Sequence, residues 1–190
     1  MPRSNQEGLT PVRKEILIVG RGGQGVLLLG RLLGLVASRY MNLYTSASEH
    51  YTSETRGGES RVDMVIADKL EEVYDFAGVS KPYLIIILYP YNIGEYLRLA
   101  REDTYLFIDK TFYQGEASTP ARVYALEYTR LAEKMLNDSR VANILLLGHV
   151  LRVTGIMPLE YVKAGIGELL NPRYHELNFR ALEAGFNLPG

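Results

Sequence analysis

The sequence predicts an α/β fold: an open Rossmann-like sheet with flanking helices and a helical C-terminal third. Three features lead there. Apolar runs of strand length alternate with stretches of helical period up to residue 126, the pattern of strand–helix units. Behind the first run stands Gly20-Arg21-Gly22-Gly23-Gln24-Gly25, a G-x-G-x-x-G turn between a strand and a helix. From Glu127 onward the periodicity is helical.

Taken in order, residues 1–14 read as a flexible polar arm and 15–187 as a single α/β domain. Glu15 to Val19 is a buried strand. Gln24 to Tyr40 is a helix, with Val26, Leu29, Leu33, Val36 and Ala37 near one face. Gly30 and Gly34, four apart on it, suit close packing against a sheet. Leu43 to Ser46 is a second strand, followed by a polar loop up to Ser60. Ser60 to Ala67 alternates Arg61, Asp63 and Val65 with Val62, Met64 and Ile66, a period-two strand with one wetter face. Tyr83 to Leu88 is a strongly buried strand. Tyr91 to Arg101 is a short helix after Pro90, Tyr105 to Asp109 a further strand, and Arg122 to Leu126 the last. Helices follow over Glu127–Leu136 and Val141–Val153. Pro158 opens another, at a position where its missing N–H costs little, and Tyr174–Ala184 is the last.

Composition narrows the function classes. The chain has 190 residues, enough for one domain with a proper core, and a net charge of −1. That leaves no broad basic field for nucleic acid or an anionic membrane. The apolar run Tyr83 to Tyr89 falls well short of the ~20 residues a bilayer span needs, and the polar first fifteen residues lack a signal-peptide core. A cytoplasmic protein without nucleic-acid or membrane partners is expected. There is no cysteine, so this chain offers no disulfide, no thiolate nucleophile and no cysteine ligand for zinc or an iron–sulfur cluster.

The glycine turn admits three readings. It packs strand against helix, binds a complete dinucleotide, or serves an interface or a phosphate-bearing ligand. A dinucleotide site needs an acid at the end of the second strand to grip the ribose. None stands in "LYTSAS"; Glu49 comes a few residues late, in the loop. Gln24 places a long amide at the helix start, in reach of a neighbouring loop or a ligand. A second motif is Arg56-Gly57-Gly58-Glu59. Its glycines suit a backbone that something approaches closely, and Arg56 offers a fork for carboxylate or phosphate; a solvated turn is the plainer account. Loops at the carboxyl ends of strands converge in an open α/β sheet, which would bring the two motifs together. Asn143, polar at the start of an apolar helix, reads as a helix-start hydrogen bond or a subunit contact. His149 reads as a core or interface residue, and Asp109 with Lys110 as a solvated pair. No metal-ligand spacing, nucleophile elbow or Walker motif is present.

"GRGGQG", then "HYTSETRGGESRVDMVIAD", then "VANILLLGHVLRVTGIMPLEYVKAGI" and "ELNFRALEAGF", resemble the gamma subunit of the 2-oxoacid:ferredoxin oxidoreductases over residues 15–187. Where that family usually has Tyr-Gly-Pro-Glu-x before Arg-Gly-Gly, this chain has Tyr51-Thr52-Ser53-Glu54-Thr55. Tyr51 and Glu54 match. Thr52 and Ser53 depart, which alters the turn geometry. The resemblance implies a non-catalytic subunit bordering the active site of a complex with alpha, beta and delta-type subunits. Such a complex decarboxylates a 2-oxoacid on thiamine diphosphate with magnesium, passes electrons through iron–sulfur clusters to ferredoxin, and releases an acyl-CoA. The C-terminal third is most like the 2-oxoglutarate type, with pyruvate and 2-oxoisovalerate as alternatives. No cofactor would be bound firmly by this chain alone. Residues Gly20, Gly22, Gly23, Gln24, Gly25, Tyr51, Glu54, Arg56, Gly57, Gly58, Glu59 and Asn143 would face partners or the coenzyme A path. The competing reading is a stand-alone Rossmann-like nucleotide-binding enzyme or sensor.

Overall fold

The apolar run Ile16-Leu17-Ile18-Val19 is fully buried at the centre of strand β1 (Arg13–Arg21). The structure, a computed structural model, describes residues 12–52 and 58–190. Within them β1 sits third in a six-stranded sheet of order β2-β3-β1-β4-β5-β6. β4 (Pro82–Ile87), β5 (Tyr105–Asp109) and β6 (Arg122–Leu126) run parallel to it. β3 (Glu59–Ala67) runs antiparallel to both β1 and β2 (Tyr44–Tyr51). The sheet is therefore mixed, with β3 the one reversed strand. Helix α1 (Val26–Leu35), extended by a π-helical turn over Val36–Tyr40, carries the chain out to the edge strand β2; β3 then returns beside β1.

Two expected elements differ. The second strand runs on through Ser46 to Tyr51, which had read as loop. That stretch, "SASEHY", carries no apolar alternation because an edge strand is wet on both faces. Pairing with β3 imposes its extended form. Glu49 thus lies within β2, in an ion pair with Arg31. β3 is also drier than its alternation suggests. Asp63 is 3% exposed because the Arg61 guanidinium takes its carboxylate at 2.5 and 2.8 Å and the Val79 N–H donates to it at 3.2 Å. A charge pair inside a fold imitates the pattern of a wet face.

Helices cover the two faces unequally. On one face α1 lies with α4 (Tyr128–Leu136), α5 (Ala142–Thr154), α6 (Leu159–Leu169) and α7 (His175–Phe186), around the larger core. The short α2 (Glu71–Tyr74) and α3 (Ile93–Leu99) lie on the other. Pro158 precedes α6, as expected. Every residue of α5 from Ala142 to Leu151 is buried, so this helix forms a middle layer between sheet and α7. Its contact with α7 is backbone to backbone: a Cβ on Gly185 would stand 1.8 Å from the Leu145 carbonyl oxygen.

Candidate functional site

Helix α1 leaves β1 on one face of the sheet and α3 leaves β4 on the other. The carboxyl ends of β1 and β4 therefore flank the crevice that an open α/β sheet forms where its winding changes side. The glycine turn stands on the β1 side. A Cβ on Gly20 would meet Val26 Cγ2 at 2.8 Å, so this glycine lets α1 pack back onto its strand. Gly23 and Gly25 have φ of +92° and +76°, conformations that L side chains rarely adopt. The Gln24 amide is anchored within the protein. Its Oε1 accepts from the Arg21 N–H at 2.7 Å, and its Nε2 donates to the Leu88 carbonyl at 3.3 Å. It thereby ties the turn to the end of β4.

Gly25 immediately precedes α1, whose first turn carries no acidic residue and whose cap position supplies no side-chain hydrogen bond. The opening N–H groups of a helix have no partner within it and sit at the positive end of its dipole. Asn143, on the buried helix α5, reaches this point. It is 4% exposed, and its Nδ2 lies 2.2 Å from where a Gly25 Cβ would be. Its Oδ1 accepts from the Ile144 N–H at 2.9 Å, which turns the NH2 end of the amide toward the glycine turn. The helix-start hydrogen bond expected of Asn143 is present, and it serves to aim a donor. A helix N-terminus with an amide donor beside the glycine that precedes it suits an anion.

The second glycine motif meets the first. The Gly22 N–H donates to the Gly58 carbonyl at 3.1 Å. A Cβ on Gly58 would stand 2.2 Å from the Thr52 carbonyl oxygen, so the chain before and after this loop is in close contact. Tyr51 closes β2 and is 68% exposed. Glu59 pairs in register with Arg21, but its carboxylate turns to the opposite face. There it accepts from Tyr96 Oη at 2.6 Å and Asn92 Nδ2 at 3.4 Å. Burial and this carboxylate push the Tyr96 hydroxyl well above its ordinary pKa. Glu54, Arg56 and Gly57 lie outside the described residues.

Asp109 and Lys110 are not a solvated pair. Asp109 is 1% exposed and accepts from the Thr111 N–H, the Thr129 N–H and Thr129 Oγ1, at 2.9, 3.1 and 2.5 Å; Lys110 donates to the Gly115 carbonyl. His149 is a core residue. Its ring is 2% exposed between Tyr128 Oη at 2.8 Å and the Pro189 carbonyl at 2.9 Å. One group escaped the reading of the sequence: Tyr89, Tyr91 and Phe112 cluster at the carboxyl ends of β4 and β5, with ring centroids 4.8 and 5.3 Å from Tyr89. The Arg21 guanidinium lies 5.9 Å from the Tyr89 ring. The signal was available in "YPY" directly after a buried strand, where loops line the crevice. No group of three metal-ligating side chains occurs among the described residues, and no helix among them is long and apolar enough to cross a membrane.

A family model described as pyruvate ferredoxin/flavodoxin oxidoreductase matches residues 15–188. The 2-oxoglutarate synthase subunit KorC of Methanothermobacter thermautotrophicus is 33% identical over 183 residues, covering 93% of this chain and 95% of that protein. The keto/oxoacid ferredoxin oxidoreductase gamma subunit of Geobacter sulfurreducens superimposes with a TM-score of 0.77 at 25% identity, over 91% of this chain and 96% of that one. The 2-oxoglutarate:ferredoxin oxidoreductase of Magnetococcus marinus, solved with 2-oxoglutarate, coenzyme A and succinyl-CoA bound, shares the fold. Its TM-score is 0.75 at 15% identity, over 92% of this chain and 30% of that one.

Proposed function

The chain belongs to the pyruvate ferredoxin/flavodoxin oxidoreductase family, and from that premise we propose that it serves as the gamma-type subunit of a multi-subunit 2-oxoacid:ferredoxin oxidoreductase in the cytoplasm. The complex oxidatively decarboxylates a 2-oxoacid to its acyl-CoA with ferredoxin as acceptor. The 2-oxoglutarate synthase relative favours 2-oxoglutarate as substrate. Alpha, beta and delta-type subunits hold the thiamine diphosphate, its magnesium and the iron–sulfur clusters. This chain has no cysteine to ligate a cluster.

The role assigned to this chain is to border the active site and bind the phosphate end of coenzyme A. One observation supports that role: Asn143 Nδ2 lies against Gly25 at the start of α1, an arrangement that suits an anion. The Gly58 carbonyl accepts from the Gly22 N–H, which supports the assignment of the second glycine motif to the same site; Arg56 itself lies outside the described residues. Arg56 then supplies a fork for a phosphate. Gly20, Gly22, Gly23 and Gln24 shape the turn, the exposed Tyr51 stands at its border toward partner subunits, and Glu59 holds the opposite face through Tyr96 and Asn92.

The test is steady-state kinetics of the reconstituted complex, following reduction of a viologen dye with each of four 2-oxoacids. Asn143→Asp places a negative charge beside the phosphate and Arg56→Ala removes the fork. Each is expected to raise KM for coenzyme A about tenfold with kcat held within about twofold. If both variants leave KM for coenzyme A unchanged, the coenzyme A role is wrong. If Arg56→Ala also leaves assembly untouched, the loop has no part in the interface. Absence of activity with every 2-oxoacid, together with a nucleotide bound by the lone chain, would favour the stand-alone enzyme.

A further inference from the structure

Strand β2 ends the sheet, and among the described residues its one strand partner is β3. The phase of that ladder is fixed at its end, where the Thr52 N–H donates to the Glu59 carbonyl at 3.1 Å. In an antiparallel pair, successive residues alternately turn N–H and C=O toward the partner strand and away from it. With Thr52 and Glu59 as a bonded pair, the register commits His50, Ser48 and Ser46 to β3. Tyr51, Glu49, Ala47 and Thr45 then direct their backbone groups outward, past the sheet's edge.

The same residues border a cavity. Thr45, Ala47 and Glu49 line a space of about 290 Å3 with Gly30, Arg31, Gly34, Leu35 and Ser38 of the α1 segment, Val62 and Met64. The Thr45 hydroxyl is buried there with no hydrogen-bond partner among the described residues. Edge strands are normally blunted by proline, lysine or a bulge. "YTSASEHY" has no proline and no lysine, and its register with β3 runs unbroken from Tyr44 to Tyr51.

We propose that β2 receives an extended segment of another subunit of the complex as a seventh strand, with one short uncharged side chain seated over Ala47 in the cavity. This rests on the subunit reading above. Outward N–H and C=O groups at every second residue are satisfied by an extended backbone. Gly30, Gly34 and Ala47 leave room for a short side chain, and the Arg31–Glu49 ion pair already satisfies the charges that line the space. A second copy of this chain is the competing occupant, and the oligomeric state of the isolated chain separates the two.

Amide hydrogen exchange tests the proposal, measured on the isolated chain and on the reconstituted complex. In the isolated chain the Thr45, Ala47, Glu49 and Tyr51 amides exchange fast, and in the complex they slow about tenfold or more. Ser46, Ser48 and His50, bonded to β3, are the control and stay slow in both. Ala47→Pro removes an outward N–H that the β2–β3 ladder does not use, a position where edge strands accept proline. The free variant keeps its fold and loses assembly about tenfold or more. Ser48→Pro removes an inward N–H and destabilises the chain itself. Equal exchange of the outward amides in an active complex overturns the seventh strand and leaves the subunit reading intact. Slow exchange in the isolated monomer shows the edge already covered by this chain and overturns it too. So does a dimer of the isolated chain, seen in sedimentation, that Ala47→Pro dissociates. A wild-type chain that joins no complex overturns both readings.

Discussion

Gly25 concentrates the site's demands in one residue. Its φ of +76° excludes an ordinary side chain, and the space a Cβ would fill belongs to Asn143. Gly23 has a similar φ, but among the described residues no atom beyond its chain neighbours lies within 4 Å of its missing Cβ. We expect Gly23→Ala to cost about 1 kcal/mol from backbone strain alone, and Gly25→Ala about 3 kcal/mol because the clash adds to it. Urea unfolding of the two variants separates these effects. His149 sets a pH dependence. Burial lowers its pKa from 6.5, against the smaller opposing pull of the Pro189 carbonyl. The unfolded chain therefore binds the proton more readily, so stability is full above pH 6.5 and is lost as pH falls below it. His149→Gln is expected to flatten the slope of Tm between pH 7 and about 5.5. Glu15 adds a lower window. Burial works against its charge, yet the Lys81 and Ser80 N–H groups and Arg13 outweigh it and hold the carboxyl below its usual range. That contribution is present above its unfolded value of 4.5 and is lost as pH falls below it. The residues that make the turn were visible in the sequence, since glycine spacing is a local signal. The partner of Gly25 was not: Asn143 is distant in the chain, and the packing of α5 brings its amide to the turn.

Helices α5 and α7 show what an element gains from glycine. A Cβ on Gly148 would stand 2.1 Å from the Leu182 carbonyl oxygen, and one on Gly185 would stand 1.8 Å from that of Leu145. The two backbones touch, so neither position accepts a methyl group without the helices parting. Gly148→Ala and Gly185→Ala are each expected to cost about 3 kcal/mol or more. The double variant should cost less than their sum, because one separation relieves both clashes. A double-mutant cycle by chemical denaturation checks this, and simple additivity would show that the helices adjust independently. Because α5 also carries Asn143 and His149, loosening this contact should raise KM for coenzyme A as well. Both helices were apparent from periodicity, and their contact was not. Strand β2 is the reverse case beyond Ser46: its extended form there comes from pairing with β3, and residues 47–51 carry no pattern that would announce it.

In the whole molecule, strand order decides which family of sites is open to the chain. A dinucleotide site places an acid at the end of the strand next to β1, beside the ribose. Here β3 occupies that place in reverse, and Glu59 at its start turns away to Tyr96 and Asn92. The purified chain is therefore expected to show no saturable binding of NAD(H) by fluorescence titration or calorimetry up to about 1 mM. Micromolar binding would favour the stand-alone reading. The sequence by itself determined the elements whose signals are local or periodic: β1 and its glycine turn, the buried β4, the helical C-terminal third, and the absence of any thiolate chemistry. Tertiary structure alone decided the reversal of β3, the length of β2, the meeting of Gly22 with Gly58 and of Gly25 with Asn143, and the burial of Asp63 and Asp109. The reason is physical. Apolar period and turn chemistry act between near neighbours, whereas strand order, hydrogen-bond phase and the pairing of buried charges depend on residues brought together only when the layers close.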